Sequence, residues 1–241
     1  MAVYAIADLH LGLGVSKPMN IFGEQWNRHT DQIKQNWTQI RSDETVVIAG
    51  DISWAMTLQE ALPDLIFLDQ LPGRKVLLKG NHDYWWTSLK KLKQVCEEHQ
   101  LQSLQFLRNN GCPGSDDWMI CGTRGWILPD DPAFQQADEK IYKREANRLQ
   151  LSLESAQEQR KPGQKLLVAM HYPPINAQNK ETLFTRLMQQ FEVDCCVYGH
   201  IHGVPPETEK QTAAGLIPCV LVAADHLCFS PWPVASRQVS Q

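Results

Sequence analysis

Residues 75–83 read Lys-Val-Leu-Leu-Lys-Gly-Asn-His-Asp, a short apolar run that ends in a cluster of polar side chains. Runs of four or five mainly apolar residues are typical of strands buried on both faces of a parallel sheet. Four other runs of this length occur in the chain, and each is also followed by Asp or His. The five predicted strands are Val3–Ala7, Thr45–Ala49, Lys75–Leu78, Leu166–Met170 and Cys195–Tyr198.

Longer segments with helical periodicity separate these strands. Thr57 and Glu60 are predicted to form a capping box, although Pro63 is expected to kink or delay that helix. Other helices are predicted around residues 33–40, 89–96, 135–160 and 183–191. Alternating strands and helices indicate the α/β class. No linker rich in Ser, Gly or Pro divides the chain, so we predict a single domain over residues 1–241.

Two regions depart from the alternation of strands and helices. Leu104–Leu107 and Trp118–Cys121 bracket the turn-rich segment 109–114, which predicts a hairpin. Near the end of the chain, Leu216–Ala223 and Leu227–Phe229 are predicted as two further strands. The sequence therefore predicts an α/β core with added antiparallel strands, an arrangement compatible with a second sheet.

Composition excludes several classes of protein. The chain has 241 residues, 43% of them hydrophobic, and a net charge of -4. No apolar run approaches about 18 residues, so we expect no transmembrane helix and no membrane partner. The slightly acidic charge also argues against nucleic acid as a partner. Seven cysteines without a C-x-x-C pair, and a short N-terminal apolar run interrupted by Asp8 and His10, indicate a cytoplasmic location.

The polar residues that follow the five strands are all capable of binding metal ions. In open α/β sheets, active sites lie beyond the carboxyl ends of the strands. In extended chain, residues i and i+2 share a face, so Asp8 with His10, and His200 with His202, can each point into one site. The candidate residues are Asp8, His10, Asp51, Asn81, His82, Asp83, His171, His200 and His202, which include five of the eight histidines of the chain.

The chemistry of this set indicates the kind of metal and the number of ions. Carboxylate, imidazole and amide ligands without thiolate suit Mn, Fe, Zn or Co better than a structural zinc site. Seven residues of this set as direct ligands are too many for one catalytic ion, whereas two ions that share a bridging carboxylate would use all seven. Two-metal sites of this kind hold their ions about 3.5–4 Å apart and serve hydrolytic displacement.

The five motifs together resemble those of the calcineurin-like metallophosphoesterase superfamily, in the same order from residue 8 to residue 202. The resemblance implies a four-layer α/β/β/α sandwich with two mixed β-sheets and a dinuclear site. By that resemblance, Asp8, His10, Asp51 and His202 bind the first metal. Asp51, which bridges, then binds the second metal together with Asn81, His171 and His200.

The same resemblance implies a mechanism. A hydroxide that bridges the two metals attacks the phosphorus in line, without a covalent enzyme intermediate. His82 lies near the leaving group and stabilises or protonates the departing oxygen. Asp83 holds the other nitrogen of the His82 imidazole and so sets its tautomer.

Substrate contacts are predicted for three further residues. Arg124, between two glycines, could grip a phosphate, although an ordinary ion pair explains it equally well. Trp85 follows the Gly-Asn-His-Asp motif and could stack on a substrate, with packing within its loop as the alternative. Tyr172 follows His171 in a loop that two prolines stiffen.

Asp225, beside His226, is a further candidate for a site residue, but a turn before the last strand explains it equally well.

The motifs also favour one branch of the superfamily. Protein Ser/Thr phosphatases carry different residues after Asp8 and Asp51. DNA-repair nucleases resemble residues 8–12, but they carry different residues after Asp51 and add a DNA-capping domain. Small bacterial phosphohydrolases of the cyclic-nucleotide-phosphodiesterase type are more similar. We therefore expect a small phosphoester substrate such as a nucleotide. A nuclease, a protein phosphatase and a binding scaffold without catalysis remain the alternatives.

Overall fold

The computed structural model describes residues 1–176, 181–208 and 211–234, whose strands are short and mostly buried. The five strands predicted from apolar runs all begin within one residue of their predicted starts. The strands are β1 (Val3–Ile6), β2 (Thr45–Ala49), β3 (Arg74–Leu78), β4 (Leu104–Leu107), β5 (Cys112–Pro113), β6 (Trp118–Thr123), β7 (Lys165–Met170), β8 (Cys195–Tyr198), β9 (Gln211–Ala214), β10 (Ile217–Leu221) and β11 (Trp232–Pro233).

The strands form two mixed sheets. The first has the order β11-β1-β2-β3-β4, in which β11 alone is antiparallel to its neighbour. The second has the order β5-β6-β7-β8-β10-β9, with antiparallel pairs at both edges and parallel pairs between them. Because the central strands of both sheets run parallel, their carboxyl ends meet at a shared edge, where the candidate residues lie.

Strand periodicity shows how the layers pack. Ile120 and Leu167 belong to the cluster of buried residues between the two sheets, whereas Met119 and Leu166, one residue earlier, face the helices outside the second sheet. Alternate residues of a strand point to opposite faces, so one strand contributes to two cores. Helices cover both outer faces, and the predicted four-layer α/β/β/α sandwich is confirmed.

Five α-helices supply the outer layers: α1 (His29–Asn36), α2 (Leu58–Gln70), α3 (Leu89–Glu98), α4 (Gln136–Gln159) and α5 (Leu183–Gln190). The predicted capping box at Thr57 is present, and α2 begins directly after it, so Pro63 does not delay the helix. Helix α4 is the longest at 24 residues, and it buries one amphipathic face. Within the described ranges, we find no helix with both the length and the apolar character needed to cross a bilayer.

The predicted hairpin between Leu104–Leu107 and Trp118–Cys121 is wrong. Strand β4 pairs in parallel with β3 in the first sheet, whereas β6 pairs in parallel with β7 in the second. The antiparallel partner of β6 is β5, a strand of only two residues that lies inside the predicted turn. Turn residues therefore marked a reversal of the chain correctly, but they do not determine which strand pairs with which.

The tail also differs from the prediction. Leu227–Phe229 forms a turn, in which Cys228 and Phe229 have positive φ angles of 50° and 58°, and the last strand is β11 instead. The Phe229 ring packs edge-on against Trp26 at 5.1 Å between centroids. The apolar residues of this segment therefore reflect burial of the turn and not a strand.

Candidate metal centre

The residues of the predicted ligand set come together at the carboxyl edge of the sandwich. They follow β1, β2 and β3 in the first sheet and β7 and β8 in the second, so each sheet contributes to the same centre. Two overlapping groups of three side chains place their ligand atoms within 4.8 Å of one another. These groups are Asp8, His10 and His202, and Asp8, Asp51 and His171.

The first group faces solvent on the side of His202. The Nε2 atoms of His10 and His202 lie 3.2 Å apart, and the Nε2 atom of His202 is 3.8 Å from Oδ1 of Asp8. The ring of His10 is almost fully buried, while the side chain of His202 is 38% exposed. This group therefore offers one carboxylate oxygen and two imidazole nitrogens to an ion that can also bind a ligand from solvent.

Asn81 and His200 lie beside His171 of the second group. Oδ1 of Asn81 lies 2.5 Å from Nε2 of His171 and 2.9 Å from Nδ1 of His200. The other nitrogen of His171, Nδ1, is 3.1 Å from the carbonyl oxygen of Ala49, to which it can donate. That hydrogen bond leaves the lone pair of Nε2 directed into the centre.

Asp51 is a member of the second group and also lies close to the first. Its Oδ2 atom is 3.9 Å from Nε2 of His10 and 3.5 Å from Nε2 of His171, one nitrogen from each group. Its Oδ1 atom accepts a hydrogen bond from the backbone N–H of His82 at 2.8 Å. The carboxylate is therefore held in a position from which it can contact ions in both groups.

Glycines make this close approach possible. A Cβ atom added at Gly50, Gly80 or Gly199 would lie less than 3.0 Å from an atom of His171, Asp51 or Asp8, respectively. Three of the ligand-bearing loops therefore pass too close to a neighbouring ligand for any side chain at these positions.

Backbone conformation is unusual at the ligands themselves. Asp8, His10, Asp51 and His200 have positive φ angles of 59°, 45°, 50° and 72°. Non-glycine residues rarely adopt this left-handed region, and such strain tends to concentrate at functional sites. The surrounding fold therefore holds these four side chains in place at an energetic cost.

The electrostatic setting favours a bound cation. Burial raises the pKa of Asp8 well above its ordinary value, and the neighbouring Asp51 charge raises it further. Burial lowers the pKa values of both His171 and His200 to about 3, which keeps their imidazoles in the neutral form that binds metals. Oδ1 of Asp8 is buried and has no hydrogen-bond partner among the described residues. A divalent cation would satisfy this oxygen, so the donor set fits metal ions.

His82 lies beside the centre and outside the ligand groups. Its ring is 5.9 Å from that of His10 and 4.7 Å from that of Trp54, measured between centroids. It lines a cavity of about 320 Å³ together with His10 and His202. A half-buried imidazole that faces this cavity can reach a group bound at the centre.

The predicted contact between Asp83 and the His82 ring is wrong. Oδ1 of Asp83 accepts hydrogen bonds from Ile52 N, Ser53 N and the Trp85 indole, and Oδ2 accepts one from Gly80 N. Within the part of the chain that the structure describes, the His82 ring donates none to it. Asp83 is fully buried, so backbone amides compete successfully for its oxygens. It joins the loops after β2 and β3 and acts as a positioning residue.

The three predicted substrate residues lie in different surroundings. Trp85 is only 2% exposed and packs in the core, so its predicted contact with substrate is wrong. Tyr172 stacks against His200 with ring centroids 4.1 Å apart, at the margin of the centre. Arg124 lies over the Trp126 ring and 3.6 Å from Glu145, in a second cavity beside the centre.

Asp225, whose role the sequence interpretation left open, contacts the ligand candidate His202. Its Oδ1 atom lies 3.2 Å from Nδ1 of His202, and its Oδ2 atom accepts from the N–H of Gly203. Burial alone would lower the pKa of His202, but the hydrogen bond to Asp225 and the charge of Asp8 raise it. In the sequence, the available signal for this contact was the position of Asp225 after the strand β10. Strand β10 runs parallel to β8 and ends at the same edge of the sheet.

We expect the Asp225→Asn variant to bind metal at the first group about 10–100-fold more weakly, the usual cost of losing a carboxylate behind a ligand histidine. The neutral amide of Asn lacks the negative charge with which the Asp225 carboxylate orients the His202 ring. Isothermal titration calorimetry with Mn²⁺ measures this change in affinity. Asp31→Asn, at an exposed position on α1, is the matched control. Equal affinity in both variants would contradict the role assigned to Asp225.

Comparison with solved structures supports the fold. The chain is similar to TT1561 of Thermus thermophilus, with 10% identity, 98% of each chain covered and a TM-score of 0.60. It is also similar to phosphopantetheinyl hydrolase (PptH) from Mycobacterium tuberculosis, with 15% identity, coverage of 92% of this chain and 88% of that chain, and a TM-score of 0.54. A protein of unknown function from Aquifex aeolicus, AQ665, shows 16% identity, coverage of 96% and 95%, and a TM-score of 0.51.

The sequence comparisons identify the family. A search of curated proteins gave no match. The sequence profile described as calcineurin-like phosphoesterase, by contrast, matches residues 1–204, which include every ligand candidate described above. Members of this family are metal-dependent hydrolases of phosphoesters, in agreement with the Asp and His groups at the strand ends. The chain belongs to the calcineurin-like phosphoesterase family.

Proposed function

We propose that the protein hydrolyses a small phosphoester at a centre of two divalent metal ions. The observation that carries this proposal is the position of Asp51, whose Oδ2 atom lies between a nitrogen of each ligand group. A carboxylate in this place serves two ions at once, whereas a site for one ion has no need of it. Manganese, iron, zinc and cobalt all suit the oxygen and nitrogen donors.

In the proposed reaction, some residues of the chain bind the metal ions and another donates a proton. When bound, the two ions neutralise charge on the phosphate and make the attacking water more acidic. Asp8, His10 and His202 hold one ion, and Asn81, His171 and His200 hold the other. His82 faces the adjoining cavity, where it can donate a proton to the oxygen that leaves as the ester bond breaks.

The cavity beside His82 suggests the class of substrate. A space of about 320 Å³ has an apolar wall beside the histidines, formed by Met19, Phe22, Trp26 and Trp54. The Trp54 ring is fixed by stacking on His10 at 4.7 Å. Nζ of Lys17 lies 3.4 Å from the centroid of the same ring, so the exposed Phe22 ring offers the aromatic face for a substrate. The space is sufficient for a nucleobase. A nucleotide therefore fits this wall, with its phosphate at the metal ligands.

An activity panel tests the proposal. Phosphomonoesters, phosphodiesters and cyclic nucleotides are incubated with the protein and added Mn²⁺, while elemental analysis counts the metals that are retained. We expect two ions per chain and hydrolysis of at least one class of ester. Binding of two ions without any hydrolysis would favour a scaffold function, and a single tetrahedral zinc that leaves His171 unliganded would contradict the dinuclear centre.

Loading with metal is also expected to stabilise the fold. Buried Asp8 and Asp51 both have raised pKa values because burial disfavours their charge, and cations remove that penalty. At a metal concentration about 1,000-fold above Kd, one site contributes about 4 kcal/mol. For a chain of this size that corresponds to a rise in Tm of about 10 °C.

Scanning calorimetry of chelated and reloaded protein measures this change. The same comparison with the Asp51→Asn variant is the control, because its rise should be smaller. An equal Tm for chelated and reloaded wild-type protein would contradict metal binding by these buried carboxylates.

A further inference from the structure

A second cavity, of about 370 Å³, lies beside the metal centre. It opens at the ends of β3 and β4 in the first sheet and β6 in the second, while the ligands follow β3 and β7 among others. Neighbouring strands are about 4.8 Å apart, so the cavity and the ligands that follow β7 are close neighbours at one edge. Its charged lining residues are Lys79, Arg108, Arg124, Arg144, Arg148 and Glu145.

Positive charge in this cavity far exceeds negative charge. Glu145 is the one carboxylate among the lining residues, and it is 1% exposed. The guanidinium groups of Arg148, Arg124 and Arg144 surround it at 2.7, 3.6 and 3.8 Å. Its Oε2 atom also accepts a hydrogen bond from Thr123. A single carboxylate therefore orients three arginines and neutralises only one of them.

Two further cations face the same space without a carboxylate of their own among the lining residues. Lys79 is half-buried and directly follows strand β3. Arg108 donates a hydrogen bond to the carbonyl oxygen of Thr87, just before helix α3. Nε of Arg124 is buried and has no hydrogen-bond partner among the described residues. The cavity therefore offers hydrogen-bond donors and positive charge to an anion.

The cavity is joined directly to the ligand loops. Lys79 precedes Asn81 by two residues, and the carbonyl oxygen of Arg124 accepts from the backbone N–H groups of His171 and Tyr172 at 3.1 and 2.9 Å. Two residues span at most about 7 Å of chain, so an anion near Lys79 lies within the length of one small molecule from Asn81.

We propose that this cavity binds a phosphate group other than the one that is hydrolysed. Guanidinium groups arranged around an open space favour phosphate, because each can donate two parallel hydrogen bonds to its oxygens. The phosphate is either a second group on the substrate or free inorganic phosphate. The first source rests on the proposed function, since it makes the substrate a compound with two phosphates.

The test uses the double variant Arg108→Gln with Arg148→Gln. Its control, Lys143→Gln with Arg186→Gln, removes two cations from exposed positions that do not line the cavity. Circular dichroism and Tm establish that both variants are folded. One arm compares kcat/KM for a nucleoside 3′,5′-bisphosphate and the matching 5′-monophosphate with Mn²⁺. The other measures calorimetric binding of inorganic phosphate to metal-free protein.

We expect the cavity variant to lose about 10-fold or more in at least one arm, since charged hydrogen bonds are being removed. A fall in the preference for the bisphosphate assigns the site to the substrate's second phosphate. A fall in phosphate binding alone assigns it to free phosphate. The proposal is overturned if the cavity variant matches the control in both arms. If the wild-type enzyme hydrolyses neither nucleotide, the proposed function fails for this class, and the phosphate arm still decides the cavity.

Discussion

Replacing Asp51 with Asn is expected to lower kcat/KM by at least about 10³-fold, because the bridging position supplies several kcal/mol of charge stabilisation. The carboxylate lies within 3.5 and 3.9 Å of nitrogens in both ligand groups. A neutral amide has one good donor oxygen and no charge, so it cannot serve both groups. Loss of a terminal ligand, as in His202→Ala, affects one group alone and is expected to cost less.

Steady-state kinetics and elemental analysis of the Asp51→Asn protein measure this effect together. Asp43→Asn is the matched control, because Asp43 is exposed and pairs with Arg41 at the surface. Activity within about threefold of wild type, with both metals retained, would show that Asp51 does not bridge.

The His82→Ala variant is expected to lose about 10²–10⁴-fold on alkyl phosphoesters and much less on aryl esters. A nitrophenolate leaves readily without a proton, whereas an alkoxide such as a ribose oxygen does not. If His82 protonates the leaving oxygen, its contribution must therefore grow with the basicity of that oxygen. Metal content should hardly change, because the His82 ring lies outside both ligand groups.

A matched aryl and alkyl pair of substrates measures this dependence through kcat/KM in wild type and variant. His99→Ala is a suitable control, since His99 ends helix α3 away from the ligands. Equal losses on both esters would assign His82 to charge stabilisation or substrate positioning. Loss of bound metal would refute its separation from the ligand set.

Much of the architecture could be predicted from the sequence because it depends on local patterns. Buried parallel strands are short apolar runs, and the residues after them must meet at one edge of the sheet. That rule predicts that Asp51, Asn81 and His171 lie together. Residue types at the strand ends therefore indicated the candidate set, whereas its division between two ions was implied by the resemblance to the family.

Features that depend on distant partners could not be predicted in the same way. Asp83 follows His82 in the chain, but backbone N–H groups of Ile52, Ser53 and Gly80 occupy its oxygens. The pairing of β4 with β3 depends on which sheet offers an open edge, and turn residues carry no information about that. Asp225 lies far along the chain from His202, and only the adjacency of β8 and β10 brings the two together.

The glycines at positions 50, 80 and 199 have a consequence at the level of the gene. Any missense change in a glycine codon introduces at least a Cβ atom, and at these three positions that atom would collide with His171, Asp51 or Asp8. These glycines are buried, whereas at surface positions most substitutions alter stability by less than about 0.5 kcal/mol. Genetic drift can therefore vary the loops around the centre, while each of these three codons tolerates only synonymous change.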